Sequence, residues 1–313
     1  MSKIISIGEM LIDFMPVKKV NQGLNAFEQN PGGAPANVSI CVSRLGGEAK
    51  FIGKLGNDTF GKFLIDVLVQ DNVNVEDVIL TDEAHTALAF VTLDETGERD
   101  FMFYRSPSAD MLLHEDEIRE QSFNRGDILH FCSVALIESP GKYAHLKAID
   151  HAKNNGTIIS FDPNVRLSLW DDENDCRQTI LDFIPYAEIL KLSDEELFFI
   201  TQLEGKDAAI QKINELNPNL KWLIITKGQA GVEAYVDNQT YDIPGYKVAT
   251  IDTTGAGDSF IGAVLYSIAN TPDKNPEEIL KFANAVGALT TTKLGAIPAL
   301  PHYDEVVEFM KNN

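Results

Sequence analysis

The stretch Asp252-Thr253-Thr254-Gly255-Ala256-Gly257-Asp258 decides the fold, because a helical pattern follows it directly. Apolar residues recur at the helical period over residues 261–268. The two glycines around Ala256 let the backbone bend sharply and gather amide N–H groups at the N-terminus of that helix. Such a terminus has unpaired donors and the positive end of the helix dipole, which favours an oxyanion. The stretch therefore predicts an anion-binding turn that leads into a helix.

Outside this stretch, short apolar segments alternate with helical patterns along most of the chain. Helices are predicted over residues 38–45 and 60–68, where apolar residues recur at i, i+3, i+4 and i+7. Buried strands are predicted at residues 4–7, 51–52, 128–132, 158–161, 189–192 and 223–226. This alternation predicts an α/β fold in which helices cover both faces of a mostly parallel sheet. We expect one catalytic domain over residues 1–313.

Two segments interrupt the alternation and predict a second, smaller sheet. Residues 86–93 and 99–105 are strand-like and flank the polar turn Asp94-Glu95-Thr96-Gly97-Glu98, which is typical of a β-hairpin. Residues 12–30 also have no helical period. We expect the segments 12–30 and 86–106 to form a lid that covers a site or makes a dimer contact. The alternative is an additional edge of the main sheet.

The charge and the cysteines limit the possible partners and the compartment. The net charge is −21, with 47 acidic and 26 basic residues, so the chain repels nucleic acids and anionic membranes, and neither is expected as a partner. No apolar run is long enough to span a bilayer. The three cysteines are far apart, without a C-x-x-C motif, and no signal-peptide pattern opens the sequence. A cytoplasmic location is expected.

Asp258 has two possible roles. Its carboxylate could simply cap the helix, as acidic residues often do at this position. It could also accept a hydroxyl proton while the neighbouring amides hold a transferring phosphoryl group. A dinucleotide fingerprint is excluded because Phe260 stands where a third glycine is needed. A P-loop is excluded at residues 56–63 because Phe63 replaces the required Ser or Thr, and Lys62 is predicted to be a helix surface residue.

A second glycine-rich run, Pro31-Gly32-Gly33-Ala34-Pro35-Ala36-Asn37, leads into the helix predicted at 38–45. Its paired glycines let the backbone approach a ligand closely. Asn37 can both donate and accept hydrogen bonds, which suits a polyol. Asp13 could accept hydrogen bonds from sugar hydroxyls, or it could be a solvated loop carboxylate.

These two runs, in this order, resemble the two signatures of the ribokinase-like (PfkB) carbohydrate kinases. The first signature matches at Asn37, Ser39, Gly46 and Gly56, and the second matches residues 252–265. Within the family, residues 8–14, 87–93, 101–105 and 162–166 are most similar to bacterial and plant fructokinases. The resemblance implies a ribokinase-like three-layer α/β/α sandwich with a small β-sheet lid. It also implies ATP-dependent phosphorylation of a sugar, with fructose as the first candidate.

The resemblance implies roles for individual residues on the sugar side. Asp258 is the expected base, beside the anion hole of Gly255, Ala256 and Gly257, and Arg166 lies near the transferring phosphate. The residues expected to bind the sugar are Asp13, Gly32, Gly33, Asn37, Phe90, Phe103 and Arg105. In an acidic chain, Arg105 or Arg166 is expected to supply local positive charge for phosphate.

On the nucleotide side, the resemblance implies ATP, Mg²⁺ and a monovalent cation such as K⁺. The residues expected near the nucleotide are Lys191, Ser193, Thr226, Lys227, Gly228, Gly231 and Asn284. For Lys227, a solvated turn lysine is the alternative. Glu196 is expected to hold Mg²⁺ through water, although Ser193 replaces the asparagine of the family motif. The monovalent-cation loop is expected at Asp252, Thr254 and Gly295.

Three alternatives to a fructokinase that dimerises through its lid stay open. Two are kinases of the same family that act on 2-keto-3-deoxygluconate or on ribose or a riboside. Phe103 lacks the hydroxyl that a keto-acid would favour. The third is a non-catalytic sugar-binding scaffold, which the glycine-flanked Asp258 disfavours.

Overall fold

A computed structural model describes residues 2–17, 26–93, 99–271 and 273–313. Its strands are β1 (Lys3–Ile7), β2 (Leu11–Val17), β3 (Ala26–Gly32), β4 (Glu48–Gly56), β5 (Asn74–Thr81), β6 (Leu88–Leu93), β7 (Arg99–Tyr104), β8 (Ile128–Cys132), β9 (Ile158–Asp162), β10 (Ile189–Ser193), β11 (Trp222–Thr226), β12 (Val232–Val236) and β13 (Gln239–Ile243). Within the described ranges, nine of these strands form one sheet, in the order β13-β12-β11-β10-β9-β8-β1-β4-β5. The seven strands from β11 to β5 pair in parallel, and the hairpin of β12 and β13 adds an antiparallel edge.

Helices cover both faces of this sheet. They are α1 (Ala34–Arg44), α2 (Thr59–Gln70), α3 (Pro140–Asn155), α4 (Glu173–Phe183), α5 (Asp194–Thr201), α6 (Lys206–Leu216), α7 (Ala256–Asn270), α8 (Pro276–Thr290) and α9 (Tyr303–Asn312). Local side-chain and backbone conformations account for the ends of these helices. The Asp58 carboxylate accepts a hydrogen bond from the Gly61 amide at the start of α2, and α3 ends at the left-handed Gly156.

The two hydrophobic cores lie on opposite faces of the sheet. Neighbouring strand residues alternate between them, so that Ile4 belongs to one core and Ile5 to the other. The first core contains apolar side chains of α1, α2, α7 and α8, and the second contains those of α3, α4, α5 and α6. The predicted three-layer α/β/α sandwich with a mostly parallel sheet is confirmed.

The remaining four strands form a separate sheet in the order β3-β2-β6-β7. They come from the two segments predicted to form the lid, so the alternative of an extra edge of the main sheet is wrong. Strands β6 and β7 pair in antiparallel fashion, as predicted for a hairpin. Residues 18–25 of the first segment and the turn predicted at 94–98 lie outside the described residues. Among the described helices, none combines the length and the apolar character that crossing a membrane requires.

This topology brings several chain turns to one place. The parallel strands β1, β8, β9 and β10 end at the same edge of the sheet, so the residues that follow them are neighbours. Ligand sites of open α/β sheets form outside the carboxyl ends of the strands. The turn before α7 lies against the same edge, where Gly257 meets Lys191 of β10.

Candidate active site

Asp258 lies in the first turn of α7, whose N-cap is Gly255 in the left-handed conformation (φ 76°). The side-chain amide of Asn37 donates a hydrogen bond to Oδ2 of Asp258, at 2.7 Å. Burial raises the pKa of Asp258, although the Asn37 hydrogen bond and the charges of Lys191 and Arg166 oppose this effect. Asp258 is thus a carboxylate with increased basicity, held by another side chain, and it makes no hydrogen bond that would cap its helix among the described residues.

A pocket faces Asp258, and we call it the acceptor pocket. It is lined by Glu9, Leu11, Asp13, Gly33, Ala34, Asn37, Phe103, Val134, Asn164, Arg166, Leu169, Lys191, Thr253, Thr254, Gly255, Gly257 and Asp258. The sequence predicted ten of these residues, which come from both glycine-rich runs, the lid and the ends of the main strands. The fold therefore brings together, in one pocket, the separate chain segments to which the resemblance assigned site residues.

Asp13 and Asn37 supply oxygen acceptors to the acceptor pocket. A Cβ atom on Gly32 would lie 2.2 Å from Oδ2 of Asp13, so only glycine lets this carboxylate lie across the backbone of the glycine-rich run at residues 31–37. Burial raises the pKa of Asp13 to about 7, against the lowering effect of Arg166. The buried Oδ1 of Asn37 has no hydrogen-bond partner among the described residues. Both oxygens are suited to accept hydrogen bonds from ligand hydroxyls.

Lys191 provides positive charge beside the glycine turn. Its ammonium group donates a hydrogen bond to Oδ2 of Asp162, at 2.9 Å, and both side chains are buried. A Cβ atom on Gly257 would lie 3.2 Å from Nζ of Lys191, which places the cation against the predicted anion hole. Burial by itself would lower the pKa of Lys191, but Asp162 and Glu196 hold it above its ordinary value. Lys191 thus stays charged at the point where a phosphoryl group would bind.

A second cleft adjoins the acceptor pocket, and the two share Thr253 and Gly257. This neighbouring cleft is lined by Thr226, Gly228, Gln229, Gly231, Gly245, Tyr246, Val248, Thr250, Thr253, Ala256, Gly257, Phe260, Asn284, Gly287, Ala288 and Thr291. It contains four of the residues predicted for the nucleotide, namely Thr226, Gly228, Gly231 and Asn284. The Asn284 amide donates hydrogen bonds to the carbonyls of Ile243 and Pro244, at 3.3 and 3.1 Å, and so fixes one wall of the cleft.

The structure corrects the prediction for Phe90. Asp13, Ala89 and Phe103 are cross-strand neighbours and share the face of the lid that lines the acceptor pocket. Because successive side chains of a strand point to opposite faces, Phe90 lies on the other face. There it stacks on Phe14, with ring centroids 4.8 Å apart. Phe90 therefore does not line the acceptor pocket, in contrast to its prediction as a sugar contact.

Two positively charged side chains that were predicted to contact ligands, Arg105 and Lys227, do not line the two pockets. Arg105 is buried and donates hydrogen bonds to the Asp110 carboxylate and to the Val134 carbonyl, and it is absent from the lining of the acceptor pocket. Asp110 and Val134 hold its guanidinium group, and its contact with the sugar or a phosphate stays a prediction. Lys227 forms an ion pair with Asp242, at 2.5 Å, and does not line the neighbouring cleft, so the turn-lysine alternative is the better description.

Ser193 and Glu196 form a capping box at the start of α5. The Glu196 amide donates to Oγ of Ser193, at 3.2 Å, and the Ser193 amide donates to Oε2 of Glu196, at 2.8 Å. Oε1 of Glu196 accepts a hydrogen bond from the Val165 amide, at 2.8 Å. The two side chains thus hold the 165–166 loop and α5 together, and neither lines the two pockets. Each Glu196 oxygen keeps a second lone pair that can accept from water.

The residues predicted for a monovalent cation do come together. Oδ1 of Asp252 accepts hydrogen bonds from the amide and hydroxyl of Thr254, at 3.0 and 2.7 Å. Oδ2 accepts one from the Gly295 amide, at 3.0 Å. Asp252 therefore ties the loop at Gly295 to the turn that precedes α7.

Glu9 lines the acceptor pocket with almost no exposed surface but was not among the predicted site residues. The same is true of Asn164, a non-glycine residue with positive φ (49°), and of the apolar wall formed by Leu11, Val134 and Leu169. The adjacent Asp162-Pro163-Asn164 stretch was a signal for Asn164. Glu9 lies within residues 8–14, which resemble fructokinases, but no pattern in the sequence assigned this acidic residue to the site.

The fold and the site define a phosphotransferase that acts on a small hydroxylated substrate. The model of the pfkB family carbohydrate kinases matches residues 1–302. Probable fructokinase-4 of Arabidopsis thaliana is 46% identical over an alignment of 319 residues, which covers 100% of this chain and 98% of the relative. The chain belongs to the pfkB family of carbohydrate kinases, as the two glycine-rich runs predicted.

Solved structures agree with this assignment. The crystal structure of fructokinase with bound ATP from Xylella fastidiosa has a TM-score of 0.90 and 35% sequence identity, and the match covers 99% of this chain and 98% of that one. A double mutant of fructokinase from Vibrio cholerae O395, in its fructose, ADP and potassium ion bound form, has a TM-score of 0.89 and 34% identity, with coverage of 99% and 98%. The predicted ribokinase-like fold is confirmed.

Proposed function

We propose that the protein is an ATP-dependent fructokinase that converts ATP and D-fructose to ADP and D-fructose 6-phosphate. One observation carries the proposal: the acceptor pocket and the neighbouring cleft meet at Gly257, directly beside Asp258. A sugar in the first and a nucleotide in the second would bring a hydroxyl and a terminal phosphate together at the anion-binding turn. The fructokinases at 46% and 35% identity support fructose as the sugar.

The transfer begins when the primary hydroxyl of the sugar lies against Asp258. The hydroxyl oxygen forms a bond to the terminal phosphorus of ATP, the bond from that phosphorus to the bridging oxygen breaks, and ADP leaves with the electron pair. The hydroxyl proton passes to the Asp258 carboxylate, whose raised pKa suits it as a base. The amides of the glycine turn and Lys191 stabilise the negative charge on the transferring group.

Mg²⁺ is the divalent cation that we propose for the nucleotide phosphates. Among the described residues, no three or more His, Cys, Asp or Glu side chains form a preformed metal site. Mg²⁺ is commonly held by one or two carboxylates together with substrate phosphates. Glu196 and Asp162 fit this mode, because both carboxylates are near enough to Lys191 to raise its pKa. In addition, Oδ1 of Asp162 is buried without a hydrogen-bond partner in the described part of the chain. When bound, Mg²⁺ neutralises charge on the phosphates.

A monovalent cation such as K⁺ is proposed at the loop that Asp252 ties to the glycine turn. A cation there would act electrostatically on the anion hole. The potassium ion in the Vibrio cholerae fructokinase structure supports this proposal. Replacement of K⁺ by Li⁺ should lower kcat, and equal rates in the two salts would contradict it.

We further propose that the lid pairs with the lid of a second copy of the chain. The face of the lid opposite to the acceptor pocket carries Phe27, Met102 and Tyr104, which are 39%, 52% and 58% exposed. Phe27 and Tyr104 pack edge-on against Phe90, which in turn stacks on Phe14. An apolar patch of this kind favours a protein partner. Light scattering should give a dimer for the native chain and a monomer for Met102→Lys with Tyr104→Lys, while Tyr143→Lys, an exposed tyrosine elsewhere, stays dimeric.

A coupled assay that follows ADP release over a panel of sugars tests the function. Turnover that depends on both ATP and fructose, with fructose preferred, supports it. Preference for 2-keto-3-deoxygluconate, ribose or a riboside would assign another activity within the family. Sugar binding without turnover would indicate the non-catalytic scaffold.

The three free, buried cysteines support a proposed location in the reducing cytoplasm. Cell fractionation tests this, and recovery of the protein from an oxidising compartment would contradict it.

A further inference from the structure

We propose that Glu9 determines sugar specificity, with Oε2 of its carboxylate accepting a hydrogen bond from one hydroxyl of the bound sugar. This inference rests on the proposed function. Glu9 follows the end of β1, directly before the first strand of the lid. It lines the acceptor pocket together with Asp13, Asn37 and Asp258. Glu9 would thus add another acceptor to the sugar-binding side chains, contributed by the segment between β1 and β2.

The two oxygens of Glu9 differ in their environment. Oε1 accepts a hydrogen bond from the Ala34 amide, at 3.0 Å, and so anchors the carboxylate to the start of α1. Oε2 is buried and has no hydrogen-bond partner among the described residues, while the residue as a whole is 2% exposed. An unpaired oxygen of a buried carboxylate is costly, typically about 1–3 kcal/mol. A ligand hydroxyl that donates to Oε2 would offset this cost.

The surroundings of Glu9 favour a hydroxyl over other ligand groups. Arg105 is the cation whose charge acts most on Glu9, but its hydrogen bonds go to Asp110 and Val134. The charge of Asp110 opposes that of Arg105 at Glu9, and Glu9 has no ion-pair partner of its own among the described residues. Burial raises the pKa of Glu9 to about 7, and the Arg105 charge opposes this shift. The ionised form of the Glu9 carboxyl accepts hydrogen bonds only, so its matching ligand group is a donor such as a sugar hydroxyl, and a hydrogen bond donated to Oε2 favours this form.

The competing explanation is that Glu9 only anchors the Ala34 amide. The variant Glu9→Gln separates the two roles, because its side-chain carbonyl can still accept from Ala34 while an NH₂ group replaces Oε2. The experiment measures kcat/KM for fructose and for fructose analogues that each lack one hydroxyl, with native enzyme and with Glu9→Gln. Glu138→Gln, a change at an exposed carboxylate, is the matched control. The KM for ATP is measured in parallel.

We expect Glu9→Gln to lower kcat/KM for fructose by about 10- to 100-fold, as loss of one hydrogen bond to a charged group does. For one analogue, kcat/KM should be the same for the native enzyme and the variant. This analogue lacks the hydroxyl that donates a hydrogen bond to Glu9, so the substitution has nothing to remove. A loss of the same size for every analogue would overturn the proposal, and so would an unchanged kcat/KM. If Glu9→Gln does not fold, Glu9→Asp keeps the charge but shortens the reach, and its loss must vanish for the same analogue.

These outcomes are distinguishable from failure of the proposed function. If the native enzyme phosphorylates another sugar and not fructose, the fructokinase proposal fails. The analogue series is then built on that sugar, and the same pattern of losses decides the role of Glu9.

Discussion

Asn37 and Asp258 are joined by a hydrogen bond of 2.7 Å although 221 residues separate them in the chain. The bond connects the two glycine-rich runs, so the orientation of the base is set by α1 as well as by its own helix. The Asn37 amide nitrogen donates this bond, and the amide oxygen, Oδ1, is buried without a partner among the described residues. One side chain can therefore hold the base and contact the sugar at the same time.

Replacement of Asn37 by aspartate should impair the base without a large change in side-chain volume. The amide donor is lost, and a second carboxyl group beside Asp258 makes its ionised form less favourable. We expect kcat to fall by about 10- to 100-fold near neutral pH, which is the size of effect expected when a catalytic base is partly disabled. Steady-state kinetics measure this, with Asn214→Asp at an exposed position of α6 as the control. A variant with native kcat would show that the hydrogen bond has no catalytic role.

The pH dependence of kcat should have an acid limb above the ordinary range of carboxyl groups. Asp258 must be ionised to accept the hydroxyl proton, and its pKa is raised by burial above the ordinary value of 3.8. As the pH falls through this raised pKa, the base becomes protonated and kcat should drop about tenfold per pH unit. A pH profile at saturating sugar and ATP checks this. A flat profile down to the ordinary carboxyl range would contradict the assignment.

Asp13→Asn should stabilise the unliganded protein at alkaline pH while it weakens sugar binding. The folded-state pKa of Asp13 is raised from 3.8 to about 7. Its contribution to stability is therefore fully present below the unfolded pKa and is lost as the pH rises through about 7. The variant lacks this loss, so its melting temperature at about pH 8 should exceed that of the native protein by roughly 2 °C or more.

Thermal melts of both proteins across this pH range provide the measurement. The difference should shrink as the pH approaches the ordinary carboxyl range, where native Asp13 is protonated. A variant that melts lower than the native protein at alkaline pH would show that the buried charge is stabilised by contacts that outweigh its burial.

Lys191→Met should lower kcat/KM for ATP by about 100-fold, since a positioned cation at the transferring phosphate is lost. The change also leaves the Asp162 carboxylate buried and unpaired, so the double change of Lys191→Met with Asp162→Asn should fold better yet stay inactive. Lys62→Met, at the exposed lysine of the excluded P-loop-like run, is the matched control. Native activity in the Lys191 variant would remove this residue from the phosphate site.

The fold could be predicted from sequence because its signals are local. The period of apolar residues identified strands and helices, and the breaks in that period identified the lid. The lid also shows the limit of such patterns. The alternation of side chains places Phe90 and Phe103 on opposite faces of the lid. Only the packing of the lid on the main sheet decides which of these faces lines the acceptor pocket.

The site was predictable where glycines constrain the backbone and unpredictable where charges are paired in space. Asp258 and its turn follow from the sequence itself. Arg105 was expected to contact a ligand because an acidic chain needs cations at a phosphate site, whereas in the structure Asp110 takes up its guanidinium group. Glu9 could not be distinguished, because burial and an unpartnered oxygen are properties of the folded chain.

The most direct test of the account is the kinetics of Asp258→Asn with fructose and ATP. The amide keeps the size of the side chain but cannot accept the hydroxyl proton, so turnover should fall by at least about 100-fold. Fructose should still raise the melting temperature of the variant, because the other acceptor-pocket residues are unchanged. Turnover within tenfold of the native rate would contradict the assignment of Asp258 as the base.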